Sequence, residues 1–80
     1  MTVNDFLTLT RRRPFIPFRV VTGDGTVYHI EHPDLVLVTP GSVVTGYPLP
    51  EESRAAARYD IVSMRHIVRL EPQETAPTAP

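Results

Sequence analysis

Residues 18–30 read FRVVTGDGTVYHI, and this stretch decides the fold. Its first five residues are mostly aromatic or β-branched, which is typical of a β-strand. The run Gly23-Asp24-Gly25 follows, and glycines supply the positive φ angles that a tight hairpin turn needs. The chain then returns as a partner strand from Thr26 to Glu31. We therefore expect an antiparallel hairpin at this point.

A short helix is expected before the hairpin. Apolar residues recur at helical spacing from Val3 onward, and Thr2 with Asp5 three residues later resembles a capping box. Pro14 pushes the residue before it out of helical geometry. The helix is therefore predicted to run from Val3 to Arg12.

The chain after the hairpin is also β-rich, with apolar runs separated by turns. Together with the hairpin, the expected strands are Phe15–Thr22, Thr26–Glu31, Leu35–Val38, Ser42–Tyr47, Tyr59–Ser63 and His66–Leu70. Residues Pro48 to Arg58 break the β pattern. They are predicted to form either a short helix, with Pro50 in its first turn, or a flexible surface loop.

One helix followed by about five short antiparallel strands predicts a mainly β fold, in which the strands form a strongly bent five-stranded sheet or a small barrel. Closing the sheet suits a chain of this size, because a barrel removes the exposed edges of a small open sheet. Residues 1–71 are expected to form this single domain. Residues 72–80 (PQETAPTAP) have no large apolar side chain and are predicted to be a disordered tail.

Composition excludes several classes of protein. The chain has 80 residues, no cysteine and no lysine, and its eight arginines face nine carboxylates for a net charge of -1. Without cysteine there is neither a disulfide nor a thiolate zinc site. No signal peptide or membrane span is visible, so we expect a cytoplasmic protein with no membrane partner.

The histidines do not form a convincing catalytic or metal-binding motif. His29 and His32 flank Glu31, but their odd separation places them on opposite faces of an extended strand. A turn at His32-Pro33 is the one way to bring them together. His66 has no nucleophile beside it in the sequence. We therefore expect no enzyme, no metal and no cofactor, with a hydrolase or metal enzyme using His29, His32 or His66 as the least favoured alternative.

Two groups of arginines are candidates for binding phosphate, because guanidinium groups bind phosphate in a bidentate manner. Arg11, Arg12 and Arg13 lie at the end of the predicted helix. Arg65 and Arg69 lie beside the last strands, next to His66. The alternative for the first group is a solvated helix end matched to the helix dipole. The alternative for Arg65 and Arg69 is that Asp60, Glu71 or Glu31 neutralises their charges.

Apolar residues occupy both faces of the strands at residues 35–38, 43–44 and 61–62. A small barrel has one interior, so the outward-facing apolar residues need the N-terminal helix or a neighbouring subunit to cover them. Self-association, with strands added across a subunit boundary, is the expected consequence.

The chain resembles a recurring set of small uncharacterised bacterial proteins, and this resemblance implies no activity. It spans nearly all of residues 1–71 and is carried by Pro14-Phe15-x-Pro17-Phe18-Arg19, by Asp24-Gly25-x-x-Tyr28-x-Ile30-x-His32-Pro33 and by His66-Ile67-x-Arg69-x-Glu71-Pro72.

Three segments are similar to the Sm-like (Hfq-type) fold, in which a helix and five bent strands form RNA-binding rings. They are residues 19–28, the run Asp34-Leu35-Val36-Leu37, and Met64-Arg65-His66-Ile67-Val68. The asparagine that follows this aspartate in RNA-binding sites of the family is absent here. Arg65-His66 stands where the family has Arg-Gly.

The favoured interpretation is a non-enzymatic interaction or assembly module, built as a Sm-like or SH3-like small β-barrel, whose main partner is another copy of itself. The alternative is an RNA-binding ring in which Arg65, His66 and Arg11–Arg13 contact phosphates. Single-stranded RNA would also need Tyr28 or Tyr47 as a stacking platform. Another protein is the remaining candidate partner.

Overall fold

A computed structural model of the chain describes residues 1–73. One helix, α1 (Val3–Thr10), precedes six strands. The strands are β1 (Phe18–Thr22), β2 (Val27–Ile30), β3 (Val36–Val38), β4 (Ser42–Leu49), β5 (Glu52–Ser63) and β6 (Ile67–Pro72). Single 3-10 turns precede β3 (Pro33–Leu35) and β6 (Met64–His66). None of the helices within residues 1–73 has the length and hydropathy needed to cross a bilayer.

The helix α1 begins as the sequence predicts. The Thr2 hydroxyl accepts a hydrogen bond from the Asp5 amide at 3.3 Å, and the Asp5 carboxylate accepts one from the Thr2 amide at 2.9 Å. This is the predicted capping box, confirmed. The helix ends at Thr10, two residues before the predicted end, and the Arg13 guanidinium donates to the Thr10 carbonyl at 3.1 Å. That bond satisfies a carbonyl that the helix leaves unpaired.

The predicted hairpin is confirmed. β1 pairs antiparallel with β2, with Phe18 opposite Ile30 and Val20 opposite Tyr28. Among the glycines of residues 1–73, Gly25 alone has a positive φ, 89°. The run Gly23-Asp24-Gly25 was expected to supply the positive φ angles of the turn, and among its glycines Gly25 does so.

The first sheet joins the two ends of the described chain. β6 pairs antiparallel with β1, giving the strand order β2-β1-β6. The Gln73 amide donates to the Pro17 carbonyl at 2.8 Å, which extends the pairing beyond the last strand residue. The ordered domain was expected to end at Glu71, but β6 includes Pro72. Residues 74–80, most of the predicted disordered tail, lie outside the described residues.

The second sheet has the order β3-β4-β5, and it overturns one prediction. Residues Pro48 to Arg58 form neither a helix nor a loop, because they complete a long β4–β5 hairpin. Ala56 lies opposite Pro48, and the register shifts on both sides of Pro48. Pairing along the hairpin overrides the helix propensity of the alanine-rich segment, and the shifts accommodate a proline that has no amide to donate.

The prediction of a mainly β fold behind one N-terminal helix is confirmed. The six strands form two three-stranded sheets, so a single five-stranded bent sheet or closed barrel is not confirmed. A 3-10 turn stands between β2 and β3, and these two strands are not paired in the sheets described.

Both sheets and α1 share one core. Phe6 of α1 is fully buried and packs edge-to-face on Phe18, with ring centroids 6.1 Å apart. The buried apolar residues that form the core cluster are Phe6, Phe18, Val20, Ile30, Val43, Val62, Met64 and Ile67. The core therefore takes one face of each sheet and leaves the opposite faces outward.

Candidate functional site

The outward face of the second sheet carries an apolar row made of Leu37, Val44 and Ile61. Leu37 lies directly opposite Val44, and Val44 lies directly opposite Ile61, so the row crosses all three strands. Leu37 is 63% exposed and Ile61 is 65% exposed. Tyr59, two residues before Ile61 on the same face, is 63% exposed. Large apolar side chains this exposed and this close together are typical of an interaction surface.

Alternation along the strands explains why this row is left uncovered. Val36, Val43 and Val62 point inward from the same three strands, and Val43 and Val62 are buried in the core. The sequence predicts apolar residues on both faces of these strands, and the structure places them there. The helix α1 was one candidate cover, but it inserts Phe6 into the core and leaves Leu37 and Ile61 exposed.

Within residues 1–73, the row ends at β5, which is an edge strand of its sheet. β5 is twelve residues long and has a partner, β4, on one side. The backbone amide and carbonyl groups of its other side face away from the sheet, where they can pair with a further strand.

Beside this edge lies a polar cluster formed by Tyr47, Arg58 and Asp60. The Tyr47 hydroxyl donates to Asp60 Oδ2 at 2.8 Å, and Arg58 Nη1 lies 3.5 Å from the same oxygen. The Arg58 guanidinium carbon stands 4.0 Å above the Tyr47 ring centroid, a cation–π contact. Burial, followed by the bond to Asp60 and its charge, raises the pKa of Tyr47 to about 12. These contacts draw the Arg58 and Asp60 side chains toward Tyr47 of β4.

The predicted arginine run follows α1 rather than lying within it. Arg11 caps the helix, and its amide donates to the Leu7 carbonyl at 3.0 Å. Arg13 donates to the carbonyls of Thr10 and Arg12, so its guanidinium folds back on the helix end. Arg12 is half-buried. Arg11 and Arg13 are exposed, as the interpretation of a solvated helix end expects.

The two arginines of the second predicted group, Arg65 and Arg69, have different surroundings in the structure. Arg69 pairs with Glu71, and Arg19 of the neighbouring strand donates to the same carboxylate at 3.0 Å. Glu71 is thus the neutralising acid among the three considered, whereas Asp60 pairs with Arg58. Arg65 and His66 lie side by side in the 3-10 turn before β6, and both are exposed.

The histidines near the hairpin meet in a cleft between the two sheets. His29, Glu31 and His32 line a cavity of about 280 Å³ together with Thr45, Gly46, Tyr47 and Pro48 of β4. β2 ends at Ile30, and the chain bends before Pro33, so the odd spacing does not keep the two histidines apart. Within residues 1–73, no group of three or more histidine, aspartate or glutamate side chains is placed to hold a metal ion.

The sequence does not single out the cluster of Tyr47 and Arg58, because it depends on a hairpin that was not predicted. The available signal is the spacing Arg58-x-Asp60, which puts opposite charges on one face of an extended strand. The cluster becomes visible in the sequence only when residues 52–63 are recognised as one strand.

Comparison of the chain with protein-family models, with curated proteins and with solved structures finds no match. Function is therefore inferred from the surfaces described above.

Proposed function

We propose that the protein is a non-enzymatic assembly module of the cytoplasm that binds a second copy of itself through the β3-β4-β5 sheet. The observation that carries this proposal is the exposed apolar row, with Leu37 and Ile61 at 63% and 65% exposure. The core already takes the other face of these strands, and Leu37 and Ile61 stay exposed among residues 1–73, so a second copy is the proposed cover.

Burial of exposed apolar side chains from the row supplies part of the free energy that association needs, but not all of it. Fully burying a leucine or isoleucine side chain contributes about 1.5–3 kcal/mol. One such side chain from each copy, Ile61, about two thirds exposed before association, therefore contributes about 2–4 kcal/mol in the pair. Association itself costs about 4–15 kcal/mol. Additional contacts are needed, and the unpaired backbone groups of β5 lie next to the row.

The proposal extends to the type of fold. We propose that the two sheets are the two halves of a small barrel of the Sm-like or SH3-like type. Its support is the pairing of the first strand, β1, with the last, β6, and the 3-10 turn that comes directly before β6.

Solution mass tests the proposed self-association. At tens of micromolar chain, light scattering should give a multiple of 9.0 kDa. Ile61→Asp should return the protein to the monomer mass, because it places a charge in the row on the edge strand β5. Val68→Asp is the matched control: Val68 is 56% exposed and lies in β6, outside the row, so this variant should keep the wild-type mass. A monomeric wild-type protein contradicts the proposal.

RNA binding is a second candidate, favoured by the exposed neighbours Arg65 and His66 in the 3-10 turn. Against it, Tyr28 packs on the core, and the Tyr47 ring is already in contact with Arg58. Its test is oligonucleotide binding that weakens as salt is added and that falls on Arg65→Ala. No binding at low salt removes this candidate.

A further inference from the structure

We propose that two copies pair β5 with β5 in antiparallel orientation, about a twofold axis that passes through Tyr59, to form one six-stranded sheet. This inference rests on the proposed self-association and specifies its geometry. A twofold pair of this kind uses the same strand from each copy, as isologous dimers do.

The choice of β5 follows from length and position. The other strands that lie at the edges of the two sheets are shorter, with three residues in β3, four in β2 and six in β6, against twelve in β5. The exposed Ile61 and Tyr59 are both on β5. Adding a strand at this edge provides backbone hydrogen bonds and covers apolar side chains in the same step.

Charge excludes the two registers adjacent to the proposed one. A twofold axis through Arg58 would place Arg58 opposite its own copy, and an axis through Asp60 would do the same with two carboxylates. An axis through Tyr59 places Arg58 of each copy opposite Asp60 of the other, which gives two opposite-charge pairs. Like charges directly opposite each other destabilise a strand pair, whereas opposite charges stabilise it.

The same register suits the outward face. Tyr59 meets the second copy's Tyr59, an aromatic pair across the axis, and Ile61 meets the second copy's Ala57. Directly opposite residues share a face, so the apolar row of each copy continues toward the other instead of ending at an exposed edge. A register centred on Ile61 would leave only residues 59–63 paired, because β5 ends at Ser63.

The polar cluster uses one carboxylate oxygen of Asp60 in its own contacts. The contacts of Asp60 with Tyr47 and with Arg58 both end on Oδ2. The carboxylate therefore keeps its other oxygen, Oδ1, for a guanidinium group from the second copy.

Disulfide trapping tests the register, because the chain has no cysteine and any disulfide must join two introduced ones. In the proposed dimer, Tyr59→Cys places its thiol opposite itself across the axis, within reach of a disulfide. Val68→Cys is the matched control, since Val68 is 56% exposed but lies in β6 of the other sheet. Under mild oxidation, Tyr59→Cys should form covalent dimer about ten-fold faster than Val68→Cys, because pairing raises the effective thiol concentration.

The outcomes separate this inference from the proposed function. Selective trapping at position 59, with a dimeric wild-type mass, supports both. A wild-type protein that self-associates without selective trapping at position 59 overturns the β5–β5 register and leaves self-association standing; a ring built by pairing β5 with a different strand would give this result. A monomeric wild-type protein overturns both. As a second readout, Asp60→Arg should weaken association, and adding Arg58→Asp should restore it by exchanging the two charges.

Discussion

Arg19 and Glu71 lie directly opposite each other in β1 and β6, and Arg19 Nε donates to Glu71 Oε1 at 3.0 Å. The other carboxylate oxygen accepts from Arg69, so a single acid neutralises two guanidinium groups on the outward face of the first sheet. The bonds from Arg69 and then Arg19 lower the pKa of Glu71 below its usual value of 4.5. This contact joins the first strand of the chain to the last.

Replacing this acid should weaken the junction in a pH-dependent way. Glu71→Gln should lower the urea midpoint of unfolding at neutral pH, because both ion pairs lose their acceptor charge. The folded pKa is depressed, so the stabilisation is present above pH 4.5 and is lost as the pH falls through the folded value. The gap between wild type and variant should therefore close in acid. Glu51→Gln, at an exposed turn, is the control, and an equal effect there would contradict the assignment.

The hairpin turn should show its own acid sensitivity. Asp24 accepts from the Thr22 hydroxyl at 2.6 Å and from the Thr26 amide at 3.0 Å, and these bonds lower its pKa to about 2 from 3.8. Its contribution is complete above pH 3.8 and is lost toward pH 2. Asp24→Ala should be less stable than wild type at neutral pH. Asp24→Asn should be closer to wild type there, because it keeps the acceptor oxygen, and unfolding measurements between these pH values should show that it has lost the share of the acid dependence that Asp24 contributes.

Glycine at position 46 is required by close packing. A Cβ added there would lie 3.1 Å from the Ala56 Cβ and 3.4 Å from the Leu35 Cβ. Gly46→Ala should therefore lower the free energy of unfolding by about 1–3 kcal/mol, as overpacking does. Gly41→Ala should have little effect, because nothing lies within 4 Å of its added Cβ. Denaturant unfolding of both variants makes the comparison, and equal midpoints would contradict the packing described.

The attachment of α1 depends on Phe6. Removing its fully buried ring leaves a cavity beside Phe18, and Phe6→Ala should cost about 3–5 kcal/mol. This is a large part of the total stability of a domain this small. Asn4→Ala, on the exposed side of the helix, should change little. Thermal melts followed by circular dichroism should separate the two variants, and similar melting temperatures would show that α1 does not anchor the core.

Local signals predicted the helix and the first hairpin, because each depends on neighbouring residues. The capping box at Thr2 and the turn at Gly25 are examples of structure set within a few positions of the chain. The strand at Tyr59–Ser63 was predicted, but its extension back to Glu52 was not, since the alanines there favour a helix and the partner β4 supplies the reason for extension. The division into two sheets likewise depends on the pairing of β1 with β6, which no local pattern reveals.

The candidate surface was partly visible in the sequence. Valines and leucines on both parities of β3 and β4 predicted an uncovered apolar face, and Leu37 lies on it. The sequence does not say which strand lies at the edge of a sheet, so it could not place Arg58 and Asp60 beside one. It also predicted Arg69 as a candidate phosphate ligand without showing that Glu71 pairs with it.

The pairing of β1 with β6 also has a consequence for how the chain folds. The second sheet is built from neighbouring strands joined by short turns, so its contacts are local in sequence and should form early. The first sheet closes only when residues near position 70 reach residues near position 20, a long loop whose closure costs entropy and slows folding. We therefore expect β3, β4 and β5 to associate first, with closure of the first sheet as the slow step that completes the domain.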